Sequence, residues 1–276
     1  MLTQNINALI QTALNEDIGS GDITTDNLID PKLTGRCVIV AKEPMVLAGI
    51  DIARQVFQHL DARMEFQALL SDGDTADTGA SLARVQGNLA ALLKGERTAL
   101  NFLQRLSGIA TNVAAHVRLL QDSPVQLVDT RKTTPGWRVL EKYAVRMGGA
   151  HNHRMGLYDG VLIKDNHIAA FGGVAASISH IRKHVSHLVK IEVEVSSLAQ
   201  VEEALKVGVD VIMLDNMTLA DIEKAVAMIR HAALVEVSGN VTQTRLPALA
   251  ETGVDIISIG ALTHGARSVD ISMRIT

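Results

Sequence analysis

The chain has 276 residues, 47% of them hydrophobic and 20% charged, and carries a formal net charge of -4. This composition is typical of a globular protein with a sizeable core, and the length suffices for one large or two ordinary domains. The negative charge and the few aromatic residues (one Trp, two Tyr and four Phe) argue against nucleic-acid binding as the main activity.

The amino-terminal sequence has neither a basic leader nor a long apolar core, and no apolar run approaches the ~18 residues of a membrane helix. We therefore expect a cytoplasmic protein that does not cross a membrane. The single cysteine, Cys37, excludes a disulfide framework within the chain. It is expected to be a small buried residue in a strand.

Alternating polar and apolar residues predict three strands in the first hundred residues, at 36–42, 64–70 and 81–86. With a short helix near 51–60, they indicate a separate α+β domain over residues 1–110. Residues 268–276 have strand periodicity and no helix after them. We expect this last strand to join the sheet of the first domain.

A helix is predicted over residues 96–121, where apolar side chains recur at helical spacing. The pattern indicates an interruption at Ser107-Gly108 and an end at Asp122-Ser123-Pro124. The helix would therefore connect the first domain to the second, which we place at residues 111–267.

In the second domain, apolar strand-like runs alternate with amphipathic helices. Six strands are predicted, at about 125–130, 160–164, 189–195, 209–214, 234–237 and 254–259. Helices are predicted near 175–187, 198–206, 218–231 and 242–251. Such alternation gives right-handed βαβ units and a parallel sheet.

Polar or small residues stand at the carboxyl ends of these predicted strands. They are Asp129, Thr130, Lys164, Glu194, Asp215, Ser238, Gly239 and Gly260. A barrel brings all of these ends to one rim, whereas an open sheet leaves its end strands out of reach of a shared crevice. The fold class predicted is therefore α/β, with an incomplete parallel α/β barrel, because six strands fall short of eight.

Four cations fall at or just after predicted strands: Arg131, Lys132, Arg154 and Lys164. A guanidinium binds a planar carboxylate or phosphate through two hydrogen bonds, and an ammonium acts as a point charge. The mixture favours a ligand with several anionic groups. By contrast, Arg138, Lys142 and Arg146 recur every four residues on a predicted helix, and we interpret them as a solvated face.

Two late loops, Ser238-Gly239-Asn240 and Ile259-Gly260-Ala261, contain the small residues that suit a phosphate site. Small side chains let backbone N–H groups approach the anion. The pair His151 and His153 lacks a third metal ligand nearby in the sequence, and such pairs are more often structural or anion-binding. We expect His153 to contact the ligand and His151 to be structural.

Several longer segments appear in a fixed order along the chain. They are LNEDIGSGDITT at 14–25, GERTALNFLQRLSGIAT at 95–111, the stretch 129–168, IEVEV at 191–195, MLDNM at 213–217 and EVSG at 236–239. Together they resemble the quinolinate phosphoribosyltransferases, also called nicotinate-nucleotide pyrophosphorylases (carboxylating). The chain departs from that family in Asn240, where a second glycine is commoner, and in Ala150, where a third is common.

The resemblance implies an N-terminal α+β sandwich domain, an incomplete barrel, and a homodimer or higher homo-oligomer with shared active sites. It also implies a reaction in NAD biosynthesis. Quinolinate and 5-phosphoribosyl 1-diphosphate would give nicotinate mononucleotide, diphosphate and carbon dioxide, with Mg²⁺ as the cofactor.

Carried over residue by residue, the resemblance divides the site between the two substrates. The quinolinate carboxylates would contact Arg131, His153, Arg154, Lys164 and, from a neighbouring subunit, Arg97. Lys132 would lie between the substrates, with Thr130 beside it, and Glu194 and Asp215 would meet the ribose hydroxyls or magnesium, directly or through water. The 5-phosphate would meet the two late loops; Lys132, Lys164, Glu194 and Asp215 are the expected catalytic residues.

The residues leave two other hypotheses about the function open. A related enzyme with a different phosphoribosyl acceptor, such as nicotinate or a molybdenum-linked substrate, would need fewer cations than Arg97, Arg131, Arg154 and Lys164 supply. A catalytically silent ligand sensor or scaffold would have no reason to carry Glu194 together with Asp215.

Overall fold

In the computed structural model, the backbone is described for residues 2–120 and 122–276, and side chains from residue 6 onward within those ranges. The chain divides into two compact units. Unit 1 consists of Met1–Ala114, Thr134–Gly149 and Thr263–Thr276, and unit 2 of Ala115–Thr133 and Ala150–Leu262. Within the described ranges, no helix has the length and apolar character needed to cross a membrane.

Helices and strands follow one another along the whole described chain. The helices are α1 (Leu2–Ile18), α2 (Ile23–Leu28), α3 (Ile50–Leu60), α4 (Leu89–Val117), α5 (Arg138–Met147), α6 (Asp165–Phe171), α7 (Val174–Arg182), α8 (Leu198–Val207), α9 (Leu219–Ile229), α10 (Leu246–Ala250) and α11 (Ala261–His264). The strands are β1 (Thr34–Ala41), β2 (Met45–Val46), β3 (Glu65–Ala68), β4 (Thr75–Ala76), β5 (Ser81–Asn88), β6 (Gln126–Val128), β7 (Val161–Ile163), β8 (Ile191–Val195), β9 (Val211–Asp215), β10 (Leu234–Ser238), β11 (Ile256–Ser258) and β12 (Ile271–Ile275). Two short 3-10 helices span Arg118–Leu120 and Gln243–Arg245.

The main sheet of unit 1 is antiparallel, with the strand order β12, β1, β5, β3. Cys37 on β1 lies opposite Val85 on β5, and both are buried. Helix α3 buries Val56 and Phe57 completely, as its apolar residues fall on one side of the helix. The last strand, β12, pairs with β1 over five residues, so the first and last parts of the chain share one sheet.

Helix α4 is continuous through Ser107 and Gly108, so the predicted interruption there is wrong. The Ser107 hydroxyl accepts the N–H of Ala48 at 3.0 Å and donates to its carbonyl at 3.2 Å. A Cβ built on Gly108 would stand 2.0 Å from the carbonyl oxygen of Arg267. Both small residues therefore serve close packing within unit 1, and neither breaks the helix.

The solvated face predicted for α5 is also wrong at one of its three cations. Arg146 is exposed and Arg138 partly so, but Lys142 is fully buried. Buried positions on α5 extend around more than half of its circumference: Leu140, Glu141, Lys142, Ala144 and Val145. The buried Glu141 accepts from Arg105 at 3.0 Å, so part of the charge on this helix is used inside unit 1.

Unit 2 is built on six parallel strands in the order β6, β11, β10, β9, β8, β7. Within unit 2, the first strand in sequence, β6, therefore pairs with the last, β11. The ring of strands is thus closed except for a gap between β6 and β7. His151 adds a parallel bridge to Val128 on the open side of β6. The predicted incomplete barrel and its six strands are confirmed.

The helices of unit 2 follow the prediction less closely. Helix α6 was not predicted, since it has seven residues, none of them buried, and so lacks an apolar stripe. The helix predicted at 242–251 is divided into a 3-10 turn and α10, whose first turn contains Pro247. Thr218 and Ser197 cap α9 and α8, each accepting a backbone N–H of the first turn.

Candidate active site

The predicted site residues of unit 2 lie at the carboxyl ends of its parallel strands. Thr130, Arg131 and Lys132 follow β6, Lys164 follows β7, Glu194 and Asp215 lie on β8 and β9, Ser238 ends β10, and Gly260 follows β11. Because the strands are parallel neighbours, these residues share one end of the sheet. Arg97 lies exposed on α4 in unit 1.

Lys164 and Glu194 form an ion pair across the neighbouring strands β7 and β8. The Lys164 Nζ lies 2.5 Å from Glu194 Oε2, and 44% of the lysine side chain stays exposed against 13% of the glutamate. The backbone N–H of Lys164 donates to His167 Nδ1 at 3.0 Å, at the first turn of α6. The ammonium is thus held at the strand end while it remains open to a ligand.

Two guanidinium groups, those of Arg131 and Arg154, lie close enough to repel each other. Burial lowers the pKa of Arg154, and the charge of Arg131 lowers it further, while Glu192 and Asp159 act in the opposite direction. The Nε of Arg131 is buried and has no hydrogen-bond partner in the described chain. Adjacent cations of this kind are stabilised by a bound anion, and a planar carboxylate matches the guanidinium geometry.

Glu192, Glu236 and His153 form a cluster that was not predicted from the sequence. The Nε2 of His153 lies 3.2 Å from Glu192 Oε2 and 3.6 Å from Glu236 Oε2. Both carboxylates are buried, and the Oε1 atom of each has no hydrogen-bond partner among the described residues. The sequence held a partial signal, because Glu192 and Glu236 each stand two residues before a predicted site residue, on the same face of the strand.

Burial and the nearby Glu192 carboxylate change the protonation of Glu236. Burial raises the pKa of Glu236 to about 7, and the neighbouring Glu192 carboxylate also raises it, whereas His153 and Lys164 lower it. A proton on Glu236 removes one of two like charges from a poorly solvated space. Near neutral pH the pair therefore holds a proton part of the time.

Asp129 fixes the chain that carries His153. It is fully buried after β6, accepts the N–H of His153 at 2.9 Å, and accepts the side-chain amide of Asn152 at 2.7 Å. The ring of His153 then accepts the N–H of Arg154 on Nδ1 at 2.8 Å. Asp129 was predicted to stand at the rim, but its structural function was not.

The two late loops have defined conformations. Gly239 has φ 85° and Asn240 φ 49°, a left-handed region that asparagine tolerates better than most residues, which accounts for Asn240 in place of glycine. A Cβ on Gly239 would stand 2.3 Å from Asn216 Oδ1, and Asn240 donates to that same oxygen at 2.9 Å. The second loop is held by the Ile259 N–H, which donates to Val128 O at 3.0 Å.

Among the described residues, two groups could hold a metal ion. Glu194 and Asp215 lie on adjacent strands, and their hydrogen-bond partners, Lys164 and Asn216, each engage one carboxylate oxygen. They fit Mg²⁺, which takes few carboxylates and retains water. In the second group, ligand atoms of His153, Glu192 and Glu236 lie within 4.8 Å of one another.

Comparison with known proteins gives matches over nearly the whole chain. The family described as Quinolinate phosphoribosyl transferase, N-terminal domain, matches residues 22–107, and the C-terminal domain of the same family matches residues 109–274. A protein of Synechocystis sp. named probable nicotinate-nucleotide pyrophosphorylase [carboxylating] is 46% identical over 273 residues, covering 98% of this chain and 92% of that protein.

Solved structures give the same result. The crystal structure of NadC from Streptococcus pyogenes has a TM-score of 0.95 and 44% identity, covering 98% of this chain and 96% of that one. The nicotinate-nucleotide pyrophosphorylase from Francisella tularensis has a TM-score of 0.95 and 39% identity, covering 99% and 96%. On this evidence, and with the predicted motifs at the strand ends, the chain belongs to the quinolinate phosphoribosyltransferase family.

Proposed function

We propose that this enzyme transfers a phosphoribosyl group from 5-phosphoribosyl 1-diphosphate to quinolinate, releasing diphosphate and carbon dioxide and forming nicotinate mononucleotide for NAD biosynthesis. The observation that carries the proposal is the pair of mutually repelling guanidiniums, Arg131 and Arg154, on a sheet end that also carries Lys164. A pyridine dicarboxylate supplies the negative charge that makes such a cluster favourable.

On the quinolinate side, the proposal assigns four residues to the carboxylates: Arg131, His153, Arg154 and Lys164. The support for the three cations is their charge, their position at the end of the sheet, and the buried unpartnered Nε of Arg131. Arg97, exposed on α4, would contribute to the active site of a neighbouring subunit in a homodimer or larger assembly. The cytoplasm, as expected from the sequence, is the compartment we propose.

On the phosphoribosyl side, the proposal assigns Glu194 and Asp215 to the ribose hydroxyls or to Mg²⁺. The 5-phosphate would contact the loops Ser238-Gly239-Asn240 and Ile259-Gly260-Ala261, and Lys132 with Thr130 would lie between the two substrates. The support is the small side chains and left-handed turn of the first loop. Magnesium, when bound, would neutralise charge on the diphosphate oxygens.

The chemistry requires no nucleophilic side chain. The pyridine nitrogen attacks the anomeric carbon as the bond to diphosphate breaks, through a ribose with cationic character, so the protein acts by orienting both substrates and stabilising the leaving group. Carbon dioxide then leaves the ring carbon next to the cationic nitrogen, which stabilises the carbanion until a proton replaces it. The ammonium of Lys132 or Lys164 would add to this stabilisation.

The test is to incubate the pure protein with quinolinate, 5-phosphoribosyl 1-diphosphate and Mg²⁺, and to measure nicotinate mononucleotide and carbon dioxide. We expect both products in equal amounts, and none without magnesium. A parallel reaction with nicotinate as the acceptor is the control for substrate identity. Product with nicotinate and none with quinolinate would contradict the assignment and favour the related monocarboxylate enzyme.

A further inference from the structure

A buried ion pair in unit 1 joins Arg105 on α4 to Glu141 on α5. Glu141 is fully buried, and its Oε1 accepts from Nη2 of Arg105 at 3.0 Å and from Nε at 3.3 Å. An ion pair removed from water is favourable only when its remaining donors and acceptors also have partners. Here those partners come from two other segments of the chain, which begin at Thr134 and at Thr263.

The first segment is the turn that begins at Thr134. Its hydroxyl donates to Glu141 Oε1 at 2.8 Å, and its backbone N–H donates to Glu141 Oε2 at 3.1 Å. The carbonyl of Thr134 accepts the N–H of Trp137 at 3.0 Å, which closes the turn. Both oxygens of the buried carboxylate therefore hold a residue that closely follows Arg131 and Lys132 in the chain.

The second segment begins at Thr263, in the short helix α11. Nη2 of Arg105 donates to the carbonyl of Thr263 at 3.0 Å, and Nη1 donates to that of Ala266 at 2.6 Å. A cation near the carboxyl end of a helix stabilises its last carbonyl groups. All three guanidinium nitrogens are thus engaged, just beyond the loop that contains Gly260.

The two held segments begin at the points where the chain returns to unit 1. Unit 1 resumes at Thr134 and again at Thr263. The loop after β6, with the proposed contact Arg131 to quinolinate, ends at the first point. The loop after β11, with the proposed contacts to the 5-phosphate, ends at the second. One pair of side chains therefore holds the ends of two loops that are assigned to different substrates.

We propose that Arg105 and Glu141 are positioning residues for the transfer reaction. Glu141 acts through Thr134 on the loop after β6, and Arg105 acts through the Thr263 carbonyl on the loop after β11. A loop held at its end samples fewer conformations, so less of the binding free energy is spent on ordering it. The inference rests on the proposed function, because it concerns how the two assigned substrates are held.

The contribution of Glu141 is tested at Thr134. Thr134→Val keeps the branched shape of the side chain but removes the hydroxyl donor to a carboxylate. We expect the KM for quinolinate to rise about tenfold, and the KM for 5-phosphoribosyl 1-diphosphate to stay within about twofold. Thr134→Ser restores the donor and should return the first constant to near its wild-type value. An unchanged KM for quinolinate in folded Thr134→Val would overturn this part of the inference.

The contribution of Arg105 is tested with Arg105→Lys. Lysine keeps the charge opposite Glu141, but its single ammonium lacks the planar fork that binds a carboxylate and two carbonyls together. The KM for 5-phosphoribosyl 1-diphosphate should rise about tenfold and that for quinolinate much less. The ratio of the two constants should therefore move in opposite directions in Arg105→Lys and Thr134→Val. A general loosening of the fold would change that ratio alike in both variants, and this result would contradict the positioning role.

Tyr143→Phe is the matched control for stability. The Tyr143 hydroxyl donates to Asp72 Oδ2 at 2.6 Å, within unit 1 and from the same helix as Glu141. Its loss should lower the midpoint of thermal unfolding but leave both KM values within about twofold of the wild type. A rise in the KM for quinolinate equal to that in Thr134→Val would show that any weakening of α5 suffices, and the inference would fail.

The only tryptophan of the chain, Trp137, gives a readout that does not depend on activity. Its ring stacks on Phe102 with 4.7 Å between centroids, and its backbone N–H is bonded to Thr134. We expect acrylamide to quench its fluorescence more efficiently in Thr134→Val and Glu141→Gln than in the wild type or Tyr143→Phe. Equal quenching in the four proteins would show that the turn does not depend on Glu141.

The outcomes also distinguish this inference from the proposed function. Wild-type protein that forms no product from quinolinate contradicts the proposed function, and the fluorescence comparison still tests the contact between Thr134 and Glu141. Wild-type protein that forms product, with both KM values unchanged in Thr134→Val and Arg105→Lys, contradicts the positioning role alone. Circular dichroism of each variant confirms that the comparison is made between folded proteins.

Discussion

At the residue scale, the site is defined by charged side chains whose partial burial is stabilised by neighbouring charges and hydrogen bonds. Lys164 is paired with Glu194, and Arg154 lies close to both Arg131 and the buried Glu192. Such groups tolerate partial burial because opposite charges and hydrogen bonds compensate for lost hydration. Substitution of these residues should therefore weaken ligand binding more than substitution of cations on the outside of the protein.

We predict that Lys164→Ala and Arg154→Ala each weaken quinolinate binding or turnover by about 1.5–3 kcal/mol or more, since each removes a charge-assisted hydrogen bond. Quinolinate kinetics and circular dichroism measure the effect and confirm the fold. Lys206→Ala is the control, because Lys206 pairs with Glu202 on an exposed helix face and should change neither. Normal kinetics in either site variant would remove that residue from the site.

The pKa of Glu236 is about 7, against an ordinary value of 4.5, and this shift predicts how the stability of the protein depends on pH. The folded protein holds this proton more tightly than the unfolded chain. The contribution of Glu236 to the free energy of unfolding is therefore fully present below pH 4.5 and is lost as the pH rises through 7. The shift corresponds to about 3 kcal/mol at most. Glu236→Gln cannot lose a proton, so its free energy of unfolding should fall less between pH 5 and about 8 than that of the wild type.

Urea unfolding of both proteins at several pH values measures this difference. Titrating groups that do not interact with Glu236 contribute equally to both curves and cancel when the variant is subtracted from the wild type, so the difference reports Glu236 together with the groups coupled to it. Parallel curves for the two proteins would show that Glu236 is ionised in the folded state throughout this range.

At the element scale, the regular parts of the fold could be predicted and the contacts between them could not. Apolar runs predicted the six strands of unit 2, because strands covered on both faces need continuous apolar sequence. The polar residues at their ends followed from strand direction alone. The contact between His153 and Glu236 depends on how residues distant in sequence are brought together, and periodicity carries no such information.

Helices show a related limit. Ser107-Gly108 has the composition of a helix end, yet α4 continues, because these positions pack against Ala48 and Arg267. Tertiary packing has overridden local propensity. Lys142 is buried for a similar reason: its helix is enclosed on most sides, which no four-residue spacing of cations could indicate.

We predict that Gly108→Ala destabilises unit 1 by about 1–3 kcal/mol, because the added methyl group would overlap the carbonyl of Arg267, and backbone cannot move aside cheaply. Gly95→Ala on the same helix is the matched control, since its methyl group would meet only side-chain atoms of Phe57 and Leu60. Alanine favours a helix over glycine by about 1 kcal/mol, which offsets part of the cost of moving these side chains, so the control should be destabilised less than Gly108→Ala. Equal stability of the two variants, by thermal unfolding, would contradict this account.

At the scale of the whole molecule, Arg97 belongs to unit 1 and not to the barrel. Its proposed contribution to a neighbouring subunit's active site allows a test of assembly. In a two-fold dimer with shared sites, Arg97→Ala and Lys164→Ala homodimers should each be nearly inactive. Mixing them equally gives about half mixed dimers, each with one site that carries both substitutions and one that carries neither. Activity should therefore recover to about a quarter of the wild type.

Subunit exchange must be confirmed independently, by mass or by separation of tagged chains, before the activity is compared. If Arg97 serves its own barrel, every site in a mixed dimer still carries one substitution and no activity returns. Recovery near a quarter would establish both the dimer and the contribution of Arg97 across it.

The pairing of β12 with β1 has a consequence for how the protein is made. Unit 1 comes from three stretches of chain, and most of unit 2 is translated between the second and the third. During synthesis, one edge of β1 therefore stays unpaired for on the order of tens of seconds, because β12 has not yet been translated. An unpaired edge is a site for wrong association during that interval, so the earliest sheet to emerge is the last to be completed.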